Sequence, residues 1–206
     1  MRVSAIIRQC TVVVLGCIVT AAAVAGPPIP RSMFCRQFVE QPDGTLTGPM
    51  QLWAEGNNMR GVMLYEGRLI HTLQLGDTLF TWADGDREGR RQYLGNGLAS
   101  YGLIRQIERI RSLGTWDREV KVDGAVYEQY LYAGTAQTDS ERYEEHVSVS
   151  FDARSGAPKV WLSEIMVGGS GVVERMSMVF RDTEVNITMP NGAFDLPEGV
   201  VFTERK

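Results

Sequence analysis

Few residues in this chain are of the types that carry out chemistry, and their spacing restricts them further. His71 and His146 are the only histidines. They fall in different β-like runs, and neither has a Cys or His at metal-ligand spacing, so no zinc or other metal site is expected. Glu144 and Glu145 adjoin in a β-like run. Neighbours on a strand point to opposite faces, so the two cannot act as a catalytic carboxylate pair. The segment Gly97-Leu98-Ala99-Ser100-Tyr101-Gly102 sets a serine among glycines, but not at the spacing of a G-x-S-x-G nucleophile elbow. Gly95-Asn96-Gly97 offers backbone N–H groups ahead of a helix-like run. It lacks the lysine of a phosphate loop and reads as a strand-to-helix turn. Asn186-Ile187-Thr188 has the form of a glycosylation sequon. With no nucleophile and base to assemble, the sequence points to a protein that is not an enzyme and needs no cofactor.

The more telling residues are apolar. Trp53, Trp82, Trp116 and Trp161 are spread over the β-like runs, together with eight methionines beyond residue 25. Methionine is unbranched and adaptable, and suits a surface that receives irregular apolar partners as well as a core that needs filling. In "ERMSMVF" strict alternation sets Met176, Met178 and Phe180 on one face, and in "HVSVSF" it does the same for Val147, Val149 and Phe151. A sheet with such a face can enclose a cavity for an acyl chain or similar lipid.

These residues need elements to hold them. Short β-like runs occupy 33–41, 45–54, 58–65, 68–75 and 78–83, broken by Asp43-Gly44, Gly56-Asn57, Glu66-Gly67 and Gly76-Asp77. That rhythm predicts an antiparallel meander. The period changes at 98–113, where Leu103, Ile104, Ile107 and Ile110 recur at helical spacing and arginines take the opposite face. Gly114 stands where a helix C-cap is expected. Strands resume over 116–122 and 125–133, flanking Asp123-Gly124, and over 143–151, 159–167 and 172–180. No repeat or internal linker interrupts them.

The first 25 residues differ from the rest. Arg2 and Arg8 precede an apolar run, Thr11–Val24, that ends in Ala23-Val24-Ala25. This is the order of a secretory signal peptide, cleaved after Ala25, and the run is shorter than the ~20 residues of a membrane-spanning helix. Val14-Leu15-Gly16-Cys17 resembles a lipobox, which leaves lipid anchoring at Cys17 as the alternative. The expected organisation is therefore a signal peptide, 1–25, and one domain, 26–206. Loss of Arg2 and Arg8 leaves 19 basic residues against 25 acidic, a net charge of −6 without a basic cluster, which argues against nucleic acid as a partner. Cys35 is the one cysteine left after cleavage. It can form no internal disulfide and reads as a small buried hydrophobe.

Taken in order, several stretches resemble the LolA-like periplasmic lipoprotein carriers, the outer-membrane lipoprotein-sorting family. They are "MFCRQFVEQPDGTLTGPMQLW", "LGDTLFTWADG", "VSFDARSGAPKVWLSEI" and the closing "FDLPEGV", and the similarity runs over nearly all of residues 31–202. The resemblance implies a mostly β (α+β) fold, a strongly curved antiparallel half-barrel whose hydrophobic concave face is covered by a helical lid. It implies a monomer that binds lipid or lipoprotein acyl chains in the periplasm, with an inner-membrane complex or an outer-membrane acceptor as further partners. Some relatives are instead envelope sensors, so a protein-interaction module on the same fold is the alternative. Leu52-Trp53 matches the family's strand motif and Trp82 its aromatic strand. Leu103, Ile104, Ile107 and Ile110 would face the cavity from the lid. Trp161, Met176, Met178 and Phe180 complete the candidate acyl site. The chain departs from the family where an Arg-Pro pair should follow the Leu-Trp motif: Ala54-Glu55-Gly56-Asn57 stands there, without the arginine that helps hold the lid. Pro27, Pro28 and Pro30 occupy the place of the family's long N-terminal helix.

Overall fold

The structure, a computed structural model, describes residues 26–122, 124–137, 142–167 and 173–204. The expected signal peptide and the alternative anchor at Cys17 lie outside them.

The described chain is mostly strand. In order it forms β1 (Ser32–Glu40), β2 (Leu46–Glu55), β3 (Asn58–Tyr65), β4 (Arg68–Leu75), β5 (Thr78–Ala83) and β6 (Glu88–Tyr93). A 3-10 turn (Leu98–Ser100) and the helix α1 (Leu103–Leu113) follow. Then come β7 (Thr115–Val122), β8 (Ala125–Gln137), β9 (Arg142–Asp152), β10 (Pro158–Val167), β11 (Val173–Val185) and β12 (Val201–Glu204). All twelve strands join one sheet in the order β12-β6-β5-β4-β3-β2-β1-β11-β10-β9-β8-β7, so it ends in two free edges and does not close. Every pairing is antiparallel except that of β12 with β6.

The alternation and turn signals produce the hairpins locally. Glu66 and Gly67, between β3 and β4, both have positive φ (50° and 78°), the two-residue turn whose twist matches that of its strands. The polar run "EGRRQY" of β6 carries no such alternation and is not legible as a strand in the sequence. The helical run expected over 98–113 divides at Gly102 into the 3-10 turn and α1. Gly114 ends α1, but in an extended conformation (φ −81°) and not as a left-handed cap. Its lack of a side chain is steric in origin, since a Cβ there would run into the backbone oxygens of Ile110 and Leu131.

Curvature follows from what α1 touches. The helix contacts both β2 and β8, which β1, β11, β10 and β9 separate in the sheet. In a flat sheet the two would be about 24 Å apart, five strand spacings, whereas a helix with its side chains is only about 10–12 Å across. The sheet therefore curls round α1, which lies on its concave face. The principal core is there: Ile104, Ile107 and Ile110 of α1 pack with Met33, Cys35, Leu52, Tyr130, Val149, Phe151, Trp161 and Phe180. Among the described residues the lid on this face is the single helix α1.

A second core lies on the opposite face of β3–β6. Residues 186–200 leave β11 and arrive at β12 beside β6, so they strap across the convex side; Arg60 Nη1 donates to the Ala193 carbonyl at 3.3 Å on the way. Phe202 of β12 meets Phe80 edge-on at 5.1 Å and Trp82 at 5.8 Å, and Trp82 stacks on His71 at 5.2 Å. Because the strap carries the chain back along the sheet, β12 runs in the same direction as β6.

Candidate functional site

The start of α1 is held from outside the helix. Its first turn has no capping side chain of its own. Asn57, in the β2–β3 turn, supplies the acceptor: Gly102 N–H donates to Asn57 Oδ1 at 2.8 Å. A Cβ on Gly102 would come within 2.6 Å of the Asn57 carbonyl carbon, so the close approach requires glycine. Asn57 thus ties helix to sheet from the β2–β3 turn. The 3-10 turn is fixed from the other side, where Leu98 N–H donates to Glu145 Oε2 of β9 at 2.9 Å. Gln74 Nε2 donates to the Ala99 carbonyl at 3.2 Å and completes the clamp.

Between this turn, the first half of α1 and the concave sheet lies a cavity of about 230 Å³. The sheet contributes Met50, Leu52, Met59, Val147, Trp161, Ile165, Met176, Met178 and Phe180; the helical segment contributes Leu98, Ala99 and Leu103. Four methionines are among these apolar groups. Polar groups are few: Gln37, Gln106, Ser163 and Glu145. Gln106 Nε2 is engaged with the Tyr101 carbonyl at 2.6 Å and Gln37 Nε2 with the Met178 sulfur at 2.9 Å. The cavity opens beside Met176, which is 43% exposed, while Trp161 and Phe180 close its inner end at 3% and 2%.

Glu145 is 6% exposed. Burial pushes its carboxyl above the usual range, opposed by the Leu98 hydrogen bond and by the positive charge of Arg109 on α1. The Arg109 guanidinium stacks over the Tyr101 ring at 4.6 Å.

The candidate residues separate by face. Leu103, Trp161, Met176, Met178 and Phe180 line the cavity. Ile104, Ile107 and Ile110 are buried in the core beneath α1 and do not reach it. Trp53 and Trp82 are on the other side of the sheet. Trp53 alternates with the inward-facing Leu52 and packs on Phe34 at 5.2 Å, and Trp82 belongs to the core under the strap. Neither can touch a ligand in the cavity, because successive residues of a strand face opposite ways. Glu145, Asn57 and the methionines of β2 and β3 were not among the candidates. The alternation that faces Val147, Val149 and Phe151 inward also places Glu145 inward, and that signal was available.

The other chemistry-bearing groups are occupied structurally. Ser100 Oγ donates to the Gly97 carbonyl at 2.7 Å. His71 Nε2 pairs with Asp84 Oδ1 at 2.8 Å, and His146 is on the exposed side of β9. Cys35 is fully buried, and burial pushes its thiol up to about 12. Among the described residues no group of three or more His, Cys, Asp or Glu is placed to hold a metal ion. No helix among them is long and apolar enough to cross a membrane.

No family model matches the chain, and no curated protein matches it. Among solved structures it is similar to PNGF-II in two crystal forms. The P21 form gives a TM-score of 0.40 at 6% identity, and the C2 form 0.36 at 7%. The match spans 85% and 84% of this chain but only 32% and 31% of PNGF-II, about a third of that protein's length. Likeness at this level carries no argument about fold or function.

Proposed function

We propose that this protein is a non-enzymatic carrier that holds the acyl chain of a lipid or lipoprotein between a half-barrel sheet and its helical lid. The observation that carries the reading is the methionine-lined cavity under α1, lined mostly by apolar side chains and open beside Met176. Its volume of about 230 Å³ exceeds the ~150 Å³ that admits a benzene ring, so it accepts a short stretch of chain as it stands. Longer chains require the methionines to repack, or the 3-10 turn and α1 to move on their Glu145 and Asn57 anchors. Each buried methylene would contribute about 0.8 kcal/mol.

Export to the periplasm belongs to the same proposal and rests on the sequence of residues 1–25. So does a role in outer-membrane lipoprotein sorting, which rests on the resemblance. The test is denaturing extraction of the purified protein followed by mass spectrometry, with titration of the stripped protein by an uncharged fluorescent acyl probe. An acyl ligand in the extract and saturable probe binding are expected. An empty protein that also ignores the probe would overturn the carrier reading, and an envelope protein captured by that same ligand-free protein would favour the sensor.

A further inference from the structure

Of the polar groups that the sheet gives the cavity, Glu145 and Ser163 lie toward its mouth, while Gln37 pairs with Phe180 at the inner end. Strand pairing sets Glu145 of β9, Ile165 of β10 and Glu174 of β11 in one row across the sheet. The next row inward on the same face is Val147, Ser163 and Met176, and the row after it Val149, Trp161 and Met178. An amphiphile seated with its tail between Met178 and Leu52 therefore brings its head to the level of two carboxylates.

The two differ in what they can do. Glu174 is exposed and solvated. Glu145 is nearly buried and lines the cavity, with Oε2 committed to Leu98 N–H, while Oε1 has no hydrogen-bond partner among the described residues. On one flank Oε1 packs against the Gly97 backbone, where a Cβ would stand 2.6 Å from it and closer still to the Ala136 Cβ, so only glycine admits the carboxylate there. Arg109 contributes favourable charge at longer range but makes no ion pair with Glu145 among the described residues. Oε1 is not among the fully buried unpaired atoms, so it reaches accessible space, and a ligand that displaces water from it must supply the donor that the water gave.

We propose that the cavity selects amphiphiles whose head group donates a hydrogen bond, through O–H or N–H, with Glu145 Oε1 as the acceptor, and that it rejects carboxylate heads. A donating head supplies the bond Oε1 lacks. A carboxylate head leaves Oε1 unpaired and adds a third negative charge beside Glu145 and Glu174. The inference rests on the carrier reading and names the ligand class of that same site.

The test uses stripped protein and three ligands with the same tail: octanol, octylammonium and octanoate, titrated by calorimetry at neutral pH. Octanol and octylammonium should bind about tenfold or more tightly than octanoate, the weight of one hydrogen bond to a charged group. In Glu145→Gln the amide oxygen still accepts from Leu98 N–H, and the gap should close to about twofold as octanoate gains. Equal binding of the three by the wild type, or an unchanged preference in the variant, overturns the inference while leaving the carrier. A gain confined to octylammonium also overturns it, since charge alone would then discriminate. Failure of all three to bind overturns the carrier reading and the inference with it. The wild-type comparison decides the matter even if the variant does not fold.

Discussion

At Cys35, Asp152 and Met176 the surroundings set behaviour that side-chain type alone leaves open. The Cys35 thiol, buried and pushed up to about 12, has almost no thiolate at pH 8. The folded protein should resist alkylation by iodoacetamide there and react fully once denatured, which mass spectrometry reads directly. Burial pushes Asp152 upward, but Ser155 N–H at 2.7 Å, the Ser155 hydroxyl at 2.8 Å, Arg154 N–H at 3.1 Å and the Arg154 charge outweigh it and leave the carboxyl below its usual range. A depressed folded-state value stabilises the protein above the unfolded range, and that stability is lost as pH falls through the folded value. Asp152→Asn should therefore melt below the wild type at pH 7, and the difference should vanish in acid where Asp152 is protonated. Glu145 has the opposite sign. Its raised value means that stability declines as pH rises from the unfolded to the folded value, so Glu145→Gln should not lower the melting temperature at neutral pH. Met176, 43% exposed at the cavity mouth, can accept a larger side chain without disturbing the core. Met176→Trp should weaken uncharged acyl-probe binding about tenfold or more, in a fluorescence titration, with little change in melting temperature.

At the scale of the element, α1 depends on where it is anchored. An 11-residue helix is marginal alone, and tertiary packing of its apolar face sustains it. Leu103, Ile104, Ile107 and Ile110 supply that face, and their spacing is plain in the sequence. The Asn57–Gly102 contact is not plain, because its partners are 45 residues apart. Gly102→Ala forces a Cβ against backbone atoms that cannot rotate away, so α1 must lift from the β2–β3 turn. The variant should lose about 1–3 kcal/mol in urea denaturation and exchange the α1 amides faster. Glycines within helical runs are usually weighed by propensity; this one is fixed by the backbone it touches.

The whole molecule is one open sheet with a core on each side. On the concave side six contiguous strands, from β2 to β8, wrap α1; on the convex side residues 186–200 and β12 cover β3–β6. The strap's "FDLPEGV" segment leads into β12 and so has an architectural role, delivering Phe202 onto Trp82 and Phe80. Phe202→Ala should cost about 2 kcal/mol, for a half-buried ring, and shift Trp82 fluorescence to the red as water enters. Because this core is separate from the cavity, uncharged acyl-probe binding should survive the substitution, which distinguishes a remote packing defect from a lesion of the site.

The sequence by itself determined the hairpins from β2 to β5, the helical stripe of α1 and the alternation of β9 and β11, since turn chemistry and side-chain period act over a few residues. The bounds of β3, β4 and β5 can be read from it directly. Only the tertiary structure decided which face of each strand became concave. Leu52 and Trp53 are equally good strand residues, and nothing local says that the first meets α1 and the second meets Phe34. The same holds for Trp82, for the polar strand β6 and for the parallel seat of β12. Each depends on pairing between segments far apart in the chain, where a strand's parity acquires meaning only once the sheet has curled around its helix.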